Sequence, residues 1–257
     1  MDVVSITTVI PAYNEGERLS GFLDDWAAAG VPHRHLAVTA IVVDDGSEEG
    51  RAAIHRAATE QTSRRLQEAG SDHRVSYVRA DRNRGKGAAI RLGWTGAAAG
   101  TTWLSFIDAD GAIPAREYWR VADLLPAVPA DVVCGSRIKM AGRTIERSLF
   151  RHLQGRVFAT VVEELFHLGF YDTQTGMKFF RASDVRPMLP ALREDRWLLD
   201  VELLVRLKGL GHRCVEVPID CQMHGGSSMV FGVDPVRMAI QLVRLRSRLR
   251  AGRGGHV

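Results

Sequence analysis

Thr101-Thr102-Trp103-Leu104-Ser105-Phe106-Ile107-Asp108-Ala109-Asp110-Gly111 is the stretch on which the fold turns. Residues 103–107 are mainly apolar and run without a break into two acids one residue apart, followed by glycine. A run this short reads as a strand buried on both faces, and such strands belong to mostly parallel sheets covered by helices. The same pattern repeats on either side. Apolar, β-branched runs at 6–11, 37–43, 75–79, 132–135, 177–180 and 214–217 predict further strands. Segments of helical period alternate with them at 18–29, 51–69, 87–99, 116–125, 148–168, 201–210 and 236–250. The expected class is therefore α/β, a mostly parallel sheet with helices on both faces. In such sheets ligands sit outside the carboxyl ends of the strands, and the polar clusters of this sequence fall there.

Composition bounds what those clusters do. The chain has 257 residues, and 34 Lys+Arg against 30 Asp+Glu give a net charge of +4. With 46% hydrophobic and 25% charged residues it reads as an ordinary globular chain, which excludes collagen-like, disordered and membrane-embedded classes. No composition break or repeat appears, so a single domain over 1–257 is expected. The opening residues carry an acid and no basic region, so no signal peptide is predicted. The apolar stretch 157–162 meets Glu163 and Glu164, well short of the roughly 20 residues of a spanning helix. Cys134, Cys214 and Cys221 form no CxxC pair and sit in apolar runs, as buried thiols in a reducing, cytoplasmic setting do. No stripe of interleaved basic and aromatic residues suggests nucleic acid.

Four clusters can carry chemistry. Pro11-Ala12-Tyr13-Asn14-Glu15 follows the first strand; it offers an aromatic face and a carboxylate near a helix N-terminus, or is a plain turn with a capping acid. Asp44-Asp45-Gly46-Ser47 ends the second strand, suited to a uracil imide or ribose hydroxyls, or to an acidic turn in which Ser47 caps the next helix. Arg82-Asn83-Arg84-Gly85-Lys86-Gly87 resembles a phosphate cradle but lacks the Ser or Thr of a P-loop, since Gly87 follows Lys86. In Asp108-Ala109-Asp110, alternation along an extended segment points both carboxylates one way, as needed to hold one divalent cation, Mg2+ or Mn2+, against a diphosphate.

In this order the motifs PAYNE, VVDDGS, RNRGKGAA, DADG and CGSR resemble the family-2 inverting glycosyltransferases of GT-A fold. Asp172 to Phe180 and Arg196 to Leu204 are similar to the dolichyl-phosphate β-glucosyltransferase branch, and the likeness spans about residues 6–230. The resemblance implies a UDP-sugar donor, with Pro11, Ala12, Tyr13, Glu15 and Asp45 around the uridine, Asp44 close by and Lys86 near the nucleotide. It gives Asp108 and Ala109 to the sugar or ribose, and Asp108 and Asp110 to the metal. Arg137 is similar to an arginine that meets an acceptor phosphate, which suits its bidentate fork. Asp200 stands where relatives using hydroxyl acceptors carry a general base; a helix N-cap is the other reading. His224 is a candidate third metal ligand and Ser227 a candidate donor contact in a glycine-rich loop. The expected organisation is a nucleotide-binding half over about 1–140, an acceptor-side half over about 141–235, and a basic amphipathic helix and tail over 236–257.

The sequence also departs from these relatives. Ala112 stands where the mannosyl-phosphate branch carries a metal-binding glutamine, and the anchors of membrane-bound relatives are not seen. Val236, Ile240, Val243 and Leu245, interleaved with Arg237, Arg244, Arg246, Arg248 and Arg250, suit an anionic membrane surface, with Leu149, Phe150, Leu153, Val157 and Phe158 as a second apolar face, or pack on the core. The reading is transfer of a hexose, glucose first, from a UDP-sugar to a polyprenyl phosphate. The alternatives are a soluble hydroxyl acceptor with Asp200 as base, and a nucleotide-sugar binding module without turnover.

Overall fold

The computed structural model describes residues 3–146, 149–222 and 235–253. A seven-stranded sheet is built from β1 (Val4–Ala12), β2 (Leu36–Asp44), β3 (Arg74–Arg79), β4 (Trp103–Ile107), β5 (Val132–Ser136), β7 (Met177–Arg181) and β8 (Cys214–Pro218) in the order β3-β2-β1-β4-β7-β5-β8. A short parallel pair, β6 (Ile145–Glu146) with β9 (Cys221–Gln222), was not foreseen in the sequence. All pairs in the main sheet are parallel except those of β7, which runs antiparallel to both β4 and β5. This one reversal brings the amino end of β7, and residues 172–176 before it, to the edge where β1, β2, β4 and β5 end.

The helices are α1 (Glu17–Gly30), α2 (Glu49–Glu68), α3 (Lys86–Thr95), α4 (Ala115–Leu124), α5 (Leu149–Phe166), the short α6 (Ala182–Val185), α7 (Leu199–Gly209) and α8 (Pro235–Arg253), with a 3-10 turn over Arg186–Ala191. Alternation along the strands divides the interior between the sheet's two faces. Ile6 and Ile10 of β1 pack with Trp26 of α1 and Tyr118 and Trp119 of α4, whereas Val9 packs with Trp94 of α3, Phe106, Phe180 and Leu203 of α7. Among the described residues no helix is long and apolar enough to cross a membrane. Leu242, Leu245 and Leu249 of α8 lie against the second of these cores, so Leu245 does not belong to an exposed apolar face as its spacing suggested. Ile240 and Val243 do face outward, and Arg248 pairs with Glu194. On α5, Val157 is exposed and Phe158 packs inward.

Candidate active site

The loop after β1 carries Tyr13 and Glu15 and is fastened to the end of β2 by hydrogen bonds. Asn14 (φ 54°) and Gly16 (φ 58°) both take the left-handed conformation needed for the bend. The Asn14 N–H donates to Ser47 Oγ at 2.9 Å, and Asn14 Oδ1 accepts from the Glu48 N–H at 3.0 Å. Gly16 N–H donates to His55 Nε2 at 3.3 Å, and His55 Nδ1 lies 3.2 Å from Asp44 Oδ2. Since the Gly16 amide only donates, Nε2 is the accepting nitrogen of His55 and Nδ1 is the one turned to Asp44. Tyr77 OH and the Ser47 N–H complete the shell of Asp44 at 2.8 and 2.7 Å.

Two expectations change here. Asp44 is fully buried with both oxygens engaged, so it positions the loop after β1 and presents no oxygen to a ligand. Ser47 does not cap α2, which starts two residues later; its hydroxyl holds Asn14 instead. Ala12 and Ala109 likewise turn their methyls into the core, leaving only backbone to offer a ligand; the Ala12 carbonyl already accepts from the Asp45 N–H at 2.9 Å. His55 and Tyr77 carried no motif signal.

Burial alone would push the Asp44 carboxyl up, but hydrogen bonds from His55, Ser47 and Tyr77 hold its pKa well below the usual range. A folded pKa below the unfolded one, about 3.9 for Asp, contributes stability that is present above that pH and lost as pH falls through the folded value. The urea midpoint should therefore drop as the protein is acidified below about pH 4. Asp44→Asn should start lower at neutral pH and fall less steeply in acid; parallel profiles for the two proteins would contradict this.

Asp45 anchors the next loop, its carboxylate accepting from the N–H groups of Arg84 at 3.0 Å and Gly85 at 2.6 Å. Gly85 has φ 110°, and a Cβ there would lie 2.7 Å from the carbonyl oxygen of Asp195, so the residue must be glycine. The 194–197 segment can then lie on the start of α3, with the Ala88 N–H donating to Asp195 O at 2.9 Å. A cleft of about 610 Å³ opens between the two, with Arg82, Arg84 and Arg196 in its lining.

Lys86, the first residue of α3, reaches Asp108 Oδ1 at 2.5 Å. Its ammonium lies 5.0 Å from the Phe106 ring and 5.8 Å from the half-exposed Trp197. Burial disfavours this charge, but Asp108, Asp200 and Asp110 together outweigh it and raise the Lys86 pKa. Burial raises the Asp110 carboxyl, and the neighbouring charge of Asp108 adds to the effect. Glu15 is raised in the same way by burial and by both aspartates, although Arg18 pairs with it at 2.7 Å. Three carboxylates thus crowd one partly buried spot with a single lysine on Asp108. Two of them plus substrate phosphates form the hard oxygen set in which Mg2+ or Mn2+ is held, so the residues present fit such an ion.

On the other side of Asp108 the chain comes very close. The Asp108 N–H donates to Gly176 O at 2.9 Å, and a Cβ on Gly176 would sit 2.1 Å from Asp108 Oδ2. Gly176→Ala should displace that carboxylate and lower kcat by about a hundredfold, as a misplacement of roughly 1 Å does. The test is steady-state kinetics beside a thermal melt, and unchanged kcat would contradict it.

Arg137, just past β5, directs Nε and Nη2 onto Asp172 at 2.6 and 2.9 Å. Its two-pronged fork is thus filled by an internal carboxylate, and an acceptor phosphate would meet its remaining edge. Burial would raise the Asp172 carboxyl, but Arg137 holds it well below the ordinary range. Glu216 fixes this loop in turn, accepting from the Tyr171 and Asp172 N–H groups at 2.7 and 2.9 Å. Asp200 is the second residue of α7, with Leu198 as N-cap, so the capping role does not hold. Its Oδ2 accepts from Lys178 Nζ at 2.8 Å, and Lys178 is fully buried on β7. Asp172, Gly176 and Lys178 all lie in the segment that carried the resemblance, yet nothing in the sequence showed their partners. His224 and Ser227 lie outside the described residues, as do the side chains of Leu149, Phe150, Leu153, Val236, Arg237 and Arg250.

Residues 7–187 match the family described as Glycosyl transferase family 2, and the chain belongs to that family. The dolichyl-phosphate beta-glucosyltransferase of Homo sapiens is 30% identical over 258 residues, 96% of this chain and 76% of the relative. That of Dictyostelium discoideum is 28% identical over 261 residues, 98% of this chain and 77% of the relative. Among solved structures, the mannosyltransferase PcManGT from Pyrobaculum calidifontis in complex with GDP-Man and Mn2+ has a TM-score of 0.59 at 19% identity, covering 95% of this chain and 64% of its own. That likeness establishes the GT-A fold. The protein is accordingly a GT-A glycosyltransferase, a hexosyltransferase by its relatives.

Proposed function

We propose that the protein transfers glucose from UDP-glucose to the phosphate of a polyprenyl phosphate, inverting the anomeric centre by direct displacement. The observation that carries this reading is the Lys178–Asp200 ion pair. An alcohol must lose its proton to attack, and Asp200, which stands where relatives using hydroxyl acceptors carry a base, is held by a buried ammonium. A phosphate monoester is already an anion at neutral pH and needs no base. The names of the relatives support the same acceptor.

Within this reading Tyr13 and the basic loop 82–87, which Asp45 holds in place, bind the uridine, and Asp108 and Asp110 hold a divalent ion. When bound, that ion offsets charge developing on the departing diphosphate. Lys86 orients Asp108 through their ion pair, and lends a second positive charge to the same region. The free edge of Arg137 orients the incoming phosphate. The reaction takes place at the cytoplasmic face of a membrane, with Ile240, Val243 and Arg244 as its contact. Incubation with UDP-glucose, Mn2+ and detergent-solubilised polyprenyl phosphate tests the proposal by mass spectrometry. A glucosyl-phospho-lipid is expected, and its absence while glucose appears on an added alcohol would overturn it.

A further inference from the structure

At the opposite edge of the sheet, three ligand groups from two elements meet. His33 and His35 lie in the turn before β2, and Asp123 lies near the end of α4. His33 Nδ1 is 2.9 Å and His35 Nε2 3.0 Å from the same oxygen, Asp123 Oδ1. The three ligand atoms all fall within 4.8 Å of one another. The nine residues of β2 separate this cluster from Asp44, about 26 Å at roughly 3.3 Å per residue, so it has no part in the transfer site.

We propose that His33, His35 and Asp123 form a binding site for a borderline divalent cation, Zn2+ in the first instance. Two imidazole nitrogens and one carboxylate oxygen are a donor set that zinc accepts in a three-ligand site, the fourth position going to water. Mg2+ and Ca2+ prefer all-oxygen shells. Opening the two His–Asp contacts by a few tenths of an ångström gives the nitrogen-to-oxygen separations of a tetrahedral ion with bonds near 2.0 Å, and the two nitrogens already lie within 4.8 Å of each other.

The ligands are preset. The His33 N–H donates to Gly30 O at 2.9 Å and the Leu36 N–H to His33 O at 3.0 Å, which fixes the turn bearing both imidazoles. The His33 ring stacks on Trp119, centroids 5.3 Å apart and planes 16° from parallel. Trp119 is itself fully buried, with its Nε1–H on Trp26 O at 2.9 Å. Trp119 and Asp123 are one turn apart on α4, so the helix face that orients His33 also presents the carboxylate. Asp123 is the penultimate residue of α4, where a negative charge opposes the helix dipole and a bound cation would relieve it. His35 is 60% exposed, which leaves the cluster open to ions from solution.

A second trio, Asp131, Asp184 and His212, is the weaker candidate. Its Asp131 Oδ2 already accepts from the Arg213 N–H at 2.9 Å, and it offers one imidazole nitrogen where the first cluster offers two.

The test is a calorimetric Zn2+ titration of the full chain in excess Mg2+, which keeps the Asp108 and Asp110 region occupied. The wild type should take up one equivalent more than His35→Ala or Asp123→Asn, while Asp131→Asn behaves as the wild type. Co2+ should give the wild type a visible absorption band of tetrahedral type that both variants lack. Because His35 is exposed, His35→Ala should melt with the wild type in chelator, which keeps folding apart from binding. Equal uptake by wild type and both ligand variants, or no uptake at all, would overturn the site and leave a His–Asp ion-pair cluster. Neither readout uses glycosyl transfer, so failure here and failure of the proposed reaction are separate results.

Discussion

Asp110→Asn should lower kcat/KM by about a thousandfold in the presence of Mn2+, while leaving the protein as stable as the wild type or slightly more so. The two halves of this expectation have one cause. The Asp110 carboxyl is pushed up by burial and by the charge of Asp108, so removing its charge relieves a strain of the folded state. Asn keeps the shape and still accepts from the Ala112 N–H, which bonds Asp110 Oδ1 at 3.0 Å. What is lost is half of the charge that holds the cation, and several kcal/mol of transition-state stabilisation convert to about three orders of magnitude in rate. Steady-state kinetics over a range of Mn2+, paired with urea unfolding, would check both halves. A rate near that of the wild type would remove the metal assignment; a large loss of stability would mean that Asp110 is structural.

The second large effect is on folding. Lys178→Met should destabilise the protein by about 3–5 kcal/mol, because it leaves the Asp200 carboxylate buried without its cation. The thioether covers part of the volume, so the charge and not a cavity carries the cost. In Lys178→Met/Asp200→Leu much of the loss should return, since two apolar groups replace a desolvated pair. Urea unfolding of the single variants and the double variant forms a cycle whose coupling term is the measurement. A single Lys178→Met variant within about 1 kcal/mol of wild type, the scale of an exposed pair, would mean that Asp200 is solvated and free to act as a base.

The seven main strands follow their sequence expectations to within about two residues, because each apolar run is closed by a turn residue, a charge or a proline. The direction of β7 was not legible: a strand buried on both faces reads as a continuous apolar run whether its neighbours are parallel or antiparallel. That reversal supplies Gly176 to Asp108 and Lys178 to Asp200, so the tightest contacts of the site rest on a feature with no local signature. Asp44 and Asp45 show the same limit at finer scale. Adjacent acids at a strand end look equivalent in sequence, yet alternation turns Asp44 inward onto His55 and Tyr77 and leaves Asp45 to hold the basic loop. Arg137 was legible as an anion ligand, but its anion is Asp172, 35 residues away.

The nature of the acceptor is decided by UDP release from UDP-glucose with Mn2+, comparing polyprenyl phosphate with the free polyprenol of the same chain length. The two lipids share their apolar surface and differ only in the group that attacks. Release with the phosphate, matched by a glucosyl-phospho-lipid, is expected, with only background release for the alcohol. Equal release with both lipids, or release with the polyprenol alone, would contradict it and return Asp200 to the role of base.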